Sequence, residues 1–135
     1  MTDQSPPLFE QLDFVYMPSE DVAADMEHFT TVLGGEIVFA IEAFGTRVAM
    51  VSLGGGPALL LAEHLEGERP VLVYRVPDLE RAMDDLEARG WEREPVSGIP
   101  DGPLCSFRTP GGHRIAIYEL TRARAADRFE GRRDF

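Results

Sequence analysis

Lysine is absent from this chain, whose 13 basic side chains are all arginine. Without an ammonium group there is no Schiff-base nucleophile and no phosphate-loop lysine. Cysteine occurs once, as Cys105, which excludes an internal disulfide and a cysteine metal cluster. No apolar run approaches the roughly 20 residues that span a bilayer. The start, Met1-Thr2-Asp3-Gln4-Ser5-Pro6-Pro7, has neither a basic region nor an apolar signal core, so the expectation is a soluble, cytoplasmic protein with no membrane partner. Positive charge is scarce too. A net charge of −11 repels phosphate backbones, and the one basic cluster, Arg122, Arg124, Arg128, Arg132 and Arg133, is interrupted by Asp127, Glu130 and Asp134. Nucleic acid is therefore not an expected partner. The chain has no Gly-x-Ser-x-Gly elbow, and Gly54-Gly55-Gly56 lacks the following helix of a phosphate loop and reads as a hairpin turn.

What is present is a repeat. Phe14-Val15-Tyr16-Met17-Pro18 leads to Asp21-Val22, Met26 and Phe29, and Val71-Leu72-Val73-Tyr74-Arg75 leads to Asp78-Leu79, Met83 and Leu86 at a constant offset of 57. Gly55-Gly56 before Pro57 to Glu63 is answered by Gly111-Gly112 before His113 to Glu119, at offset 56. With 135 residues, two half-size modules sharing one core fit the length. Each module reads as βαβββ. Leu12 to Pro18 is a strand, Ser19-Glu20-Asp21 caps a helix with Val22, Met26, Phe29 and Leu33 on one face, and Gly34-Gly35 ends it. Strands follow over 36–43, 46–53 and 57–64, then an acidic hinge at Glu66-Gly67-Glu68-Arg69. The second module repeats the order, with a strand over 70–76, a helix capped by Asp78 and ended by Gly90, and strands over 91–96, 104–108 and 114–120. The fold class is thus α+β: two tandem βαβββ modules, 8–66 and 67–121, forming a concave mixed sheet with helices on the outer face, then an Arg-rich tail, 122–135.

Several stretches resemble the vicinal oxygen chelate superfamily, which includes glyoxalase I, extradiol dioxygenases and bleomycin-resistance proteins. They are Leu12-Asp13-Phe14-Val15-Tyr16, Phe29 with Val32-Leu33-Gly34-Gly35-Glu36, Val73 to Leu79, and Thr109-Pro110-Gly111-Gly112-His113 through Tyr118-Glu119. In the superfamily's metal-dependent members the resemblance implies one ligand from the first strand and one from the last strand of each module. Those positions here are Phe14, Leu60, Val71 and Ala116, and none of these side chains can donate to a divalent ion. The resemblance therefore implies a member with no metal cofactor. An alternative keeps a metal-dependent glyoxalase- or dioxygenase-like enzyme with unusual ligands that include His64, which shares strand parity with Leu60.

Period-two alternation brings Tyr16, Ala62, Val73, Arg75, Arg114 and Tyr118 to the same concave face as Phe14, Val71 and Ala116. Arg47, Trp91 and Phe107 are further candidates for that face. Such a cleft, aromatic and aliphatic with phenols and guanidinium groups, suits a small planar or anionic organic molecule. The expected function is metal-free binding of such a ligand, in the manner of drug-sequestering resistance proteins. Phe129 and Phe135 in the tail would be wasted in free solvent. A homodimer is therefore expected, with the tail packed on the partner or over a cleft.

Overall fold

The computed structural model describes residues 8–123 and 128–135. The leader 1–7, and Arg124 and Asp127 of the tail, lie outside the described residues. The first module comprises β1 (Gln11–Pro18), α1 (Val22–Thr31), β2 (Glu36–Ala43), β3 (Thr46–Ser52) and β4 (Ala58–Ala62). The second comprises β5 (Val71–Val76), α2 (Leu79–Ala88), β6 (Val96–Ile99), β7 (Gly102–Arg108) and β8 (Arg114–Glu119). Both helices start as their sequences require: the Asp21 carboxylate accepts from Ala24 N at 3.0 Å, and Asp78 accepts from Arg81 N at 3.1 Å. Glu119, at the end of β8, adds a second acceptor for α2 through Leu79 N at 2.9 Å.

All eight strands form one mixed sheet in the order β2-β3-β4-β1-β5-β8-β7-β6. The seam is the antiparallel pair β1–β5, in which Val15 faces Leu72, Phe14 faces Val73 and Tyr16 faces Val71. Because Val15 and Leu72 are also related by the 57-residue repeat, the pseudo-two-fold axis passes through this pair. Module pairing is thus made inside one chain. On each side of the axis a parallel ladder follows, Tyr16 beside Leu60 and Val73 beside Ala116.

Alternation divides the side chains between two faces. On the outer face, Val22 and Met26 of α1 pack on Ala40, Ala49, Val51 and Leu61. Leu79, Ala82 and Met83 of α2 pack on Val76, Cys105 and Ile117. The inner face carries Phe14, Tyr16, Phe39, Met50 and Leu60 from the first module and Val71, Val73, Leu104, Ala116 and Tyr118 from the second.

One element departs from the sequence reading. The strand expected over 91–96 lies instead at Val96–Ile99. Trp91 is drawn under α2, its ring 5.5 Å from Phe107 and edge-on to it, while Arg93 is tied by ion pairs to Glu80, Asp84 and Glu87 of that helix. Pro95 then has no N–H for a ladder, so pairing starts one residue later. The tail takes the second of its two expected places, over a cleft, and does so in its own chain. Gly131 N donates to Val38 O at 2.8 Å, Ala40 N to Arg132 O at 2.8 Å and Asp134 N to Ala40 O at 2.7 Å, so the tail runs along the edge of β2 in its own chain. Phe135 packs into the core under α1, and Phe129 lies 5.6 Å from Phe39 on the inner face.

Candidate functional site

The cup of the sheet holds two cavities that meet at Tyr16, His64 and Ile99. The larger, about 660 Å3, lies over the second module, with Val71, Val73 and Ala116 as its floor and Ser106, Arg108 and Arg114 among its polar walls. The smaller, about 300 Å3, lies over the first module. Phe14, Phe39, Met50 and Leu60 form its floor, Phe129 of the tail closes one side, and the β6–β7 hairpin closes another.

That hairpin is built from the stretch expected to be a loop. Ile99 faces Gly102 across the turn Pro100-Asp101, and the Asp101 carbonyl accepts from Thr121 N and Arg122 N, both at 3.0 Å. Gly102 is required at the turn because a Cβ there would meet Glu119 O at 2.0 Å. The turn hangs Asp101 over the smaller cavity. Burial, and then the negative charge of Asp13, push the Asp101 carboxyl above its ordinary value, with Arg122 opposing them. Tyr16 is pushed up by its own burial and by Asp101.

A bulge shapes the seam. The β1–β5 register shifts between Leu12 and Phe14, so Asp13 and Phe14 both reach the inner face instead of alternating. Asp13 accepts a hydrogen bond from the Tyr118 hydroxyl, and its Oδ2 lies 3.5 Å from Arg75 Nε. Burial, reinforced by the hydrogen bond to Asp13, raises the Tyr118 phenol well above its usual range. Strands β1, β5 and β8 are thereby tied together by one carboxylate, one phenol and one guanidinium.

Of the residues singled out from sequence, Phe14, Tyr16, Leu60 and His64 line the smaller cavity, and Tyr16, His64, Val71, Arg114 and Ala116 the larger. Phe107 touches the larger cavity, although its ring belongs to the core with Trp91. Arg114 also clamps the hinge, donating to Glu66 O at 2.6 Å and Arg69 O at 3.0 Å. Three expectations need correction. Arg47 has the opposite parity and lies 4.5 Å over the ring of Phe135, away from both cavities. Arg75 and Tyr118 face the cup but are spent on Asp13 beneath it. Sequence reasoning missed Asp101 and Arg108 as site residues; the signal for Asp101 was a Pro-Asp-Gly turn between two short β-forming runs.

The four positions where the superfamily's metal-dependent members carry ligands fall in two neighbouring rows across the seam. Leu60 shares one row with Tyr16 and Val71, and Phe14 shares the next with Val73 and Ala116. These residues do not fit a metal ion, since none offers an oxygen, nitrogen or sulfur donor. Among the described residues no three His, Cys, Asp or Glu side chains gather elsewhere as a ligand set. His64 is exposed, with Nδ1 3.4 Å from Thr46 Oγ1.

The strand order, the seam on a pseudo-two-fold axis and the outer helices together define the vicinal oxygen chelate fold, and the chain has that fold. Solved structures that share it include methylmalonyl-CoA epimerase from Mycobacterium tuberculosis, 22% identical, with 93% of this chain and 97% of that one covered at a TM-score of 0.69. A methylmalonyl-CoA epimerase in complex with methylmalonyl-CoA and NH4+ is 18% identical, with 84% and 96% covered at a TM-score of 0.63. A hypothetical protein from Bacillus halodurans C-125 is 15% identical, with 81% and 93% covered at a TM-score of 0.66. At these identities the likeness establishes the fold and leaves the chemistry to the site. No protein-family model matches the chain, and no curated protein matches its sequence. No helix among the described residues is long and apolar enough to cross a membrane.

Proposed function

We propose that this chain binds a small organic molecule, planar or anionic in part, in the two-chambered cleft, without a metal ion and without turning it over. The observation that carries the reading is the division of labour between the cavities. One wall set is aromatic and aliphatic, as an apolar ring system requires, and the other offers Arg108 and Arg114 for a carboxylate or phosphate. The apolar residues at the four ligand positions support binding over metal-assisted turnover.

Pairing of two chains belongs to this proposal as an assembly state and not as a condition for binding, since both modules of the cleft come from one chain. The lone Cys105, buried and free, suits a cytoplasmic setting. Calorimetric titration with a panel of small aromatic acids, alcohols and amines tests the reading. Ser106 is exposed on the wall of the larger cavity, so Ser106→Trp fills that chamber without disturbing the core. Binding of panel members that is reduced at least about tenfold by Ser106→Trp supports the proposal. Binding of the aromatic acids that ignores the substitution, or a stoichiometric metal ion in the purified protein, refutes it.

A further inference from the structure

The smaller cavity carries a charge preference that the binding reading does not contain. Resting on that reading, we propose that this chamber is a site for an organic cation, a protonated or quaternary amine whose charge faces Asp101 and whose apolar groups contact Phe14, Phe39 and Phe129. Aromatic side chains from three separate elements, β1, β2 and the tail, meet in its wall, and aromatic walls around a charged amine are the arrangement that cation–π attraction rewards. Among the described residues that line the chamber, Asp101 is the one that is formally charged, and none is an arginine. Among the described residues no side-chain or backbone donor is hydrogen-bonded to the Asp101 carboxylate. Its neighbour Asp13, by contrast, is engaged by Tyr118 and Arg75.

Three physical consequences follow from this placement. An anion in the chamber would meet a half-buried carboxylate at close range, and a neutral ligand would leave that carboxylate without a partner. A cation supplies the missing partner, and the net charge of −11 raises the local concentration of cations before contact. A volume of about 300 Å3 has room for a ring that carries an amine. Since Arg108 and Arg114 line the adjoining chamber, the full ligand is bipolar, with its amine over the first module and its anionic group over the second.

Benzylamine, benzyl alcohol and benzoate share a ring and differ in charge, so their titration at pH 8 in low salt isolates the preference. A single pH keeps the titratable groups around Asp101, which are His64, Asp13, Tyr16 and Arg122, the same for all three ligands. Benzylamine is expected to bind at least about tenfold tighter than benzyl alcohol, while benzoate, which Arg108 and Arg114 of the adjoining chamber can take, probes that other chamber. In Asp101→Asn that preference should fall to near unity, while binding of benzyl alcohol persists. Equal or tighter binding of the alcohol overturns the cation site and leaves the binding function standing. Absence of binding by all three overturns both. An unchanged preference in Asp101→Asn assigns the selectivity elsewhere and also overturns the proposal. If that variant fails to fold, a His64→Gln protein decides: its preference for benzylamine must fall as pH is lowered from 8 toward the ordinary Asp value, about 3.9, and a preference that does not change counts against Asp101.

Discussion

Asp101 weakens the fold wherever it is ionised. Its carboxyl is pushed up in the folded chain by burial and by Asp13, so the native state holds the proton more tightly than the unfolded chain does. Stability is then highest below the ordinary Asp value, about 3.9, declines as pH rises through the raised folded value, and stays lower above it. Asp101→Asn should accordingly raise the melting temperature at pH 7 and lose that advantage near pH 4. Thermal melts at the two pH values check this, and an equal gain at both would show that charge is not the cause. Such a trade of stability for a charged group in a cavity is what a binding site costs. Tyr118, 1% exposed, acts in the opposite sense by donating to Asp13 at the seam. Tyr118→Phe leaves a part-buried carboxylate short of one donor and should destabilise the protein by about 1–3 kcal/mol in denaturant titration. Neither residue's role could be read from the sequence. Asp13 reaches the cup only because of a bulge, and period-two reasoning assigns it to the other face.

At the scale of elements, the repeat was readable because it rests on patterns that survive divergence: caps at Asp21 and Asp78, an offset of 57, and Gly-Gly turns before the last strands. β6 was not readable, since Val96 to Ile99 is short, exposed and contains Gly98, while the preceding Trp91 carries a stronger β propensity yet spends it under α2. Edge strands carry the weakest hydrophobic signal, and that is where the reading failed. The hairpins at the two ends also differ. Pro100-Asp101 folds over a cavity, whereas the β2–β3 tip holds Phe44 fully exposed at φ 53°. A left-handed Phe next to Gly45 is strained where Asn-Gly would be relaxed. Phe44→Asn should therefore stabilise the chain by about 1 kcal/mol with an unchanged denaturant slope. A loss of stability would mean that Phe44 makes a contact in solution that its exposure conceals.

For the whole molecule, the decisive question is what the last eight described residues, Arg128 to Phe135, belong to. Read from sequence they were an arm for a partner or a cover for a cleft, because two phenylalanines among arginines have no local use. In the fold they have two uses in their own chain. Phe135 fills the core under α1, and Phe129 walls the smaller cavity. The backbone between them pairs with β2, and the Asp134 carboxylate accepts from Glu42 N at 2.8 Å. Arg132 and that backbone donor hold the Asp134 carboxyl below its ordinary value, so this contact contributes stability above about pH 4 and loses it as the carboxyl protonates. Deleting 128–135 removes two half-buried rings, for a loss of about 2–4 kcal/mol, and leaves β2 as a bare edge that invites pairing with other chains. The melting temperature of the truncated chain should fall by an amount independent of protein concentration, since the lost contacts are intramolecular. A tail docked on a second copy behaves differently, because mass action makes its stabilisation grow with concentration. Melting curves over a hundredfold range of concentration, with sedimentation of both proteins, separate the two cases. A concentration-dependent loss would move the tail onto a partner, and no loss at all would remove it from the fold.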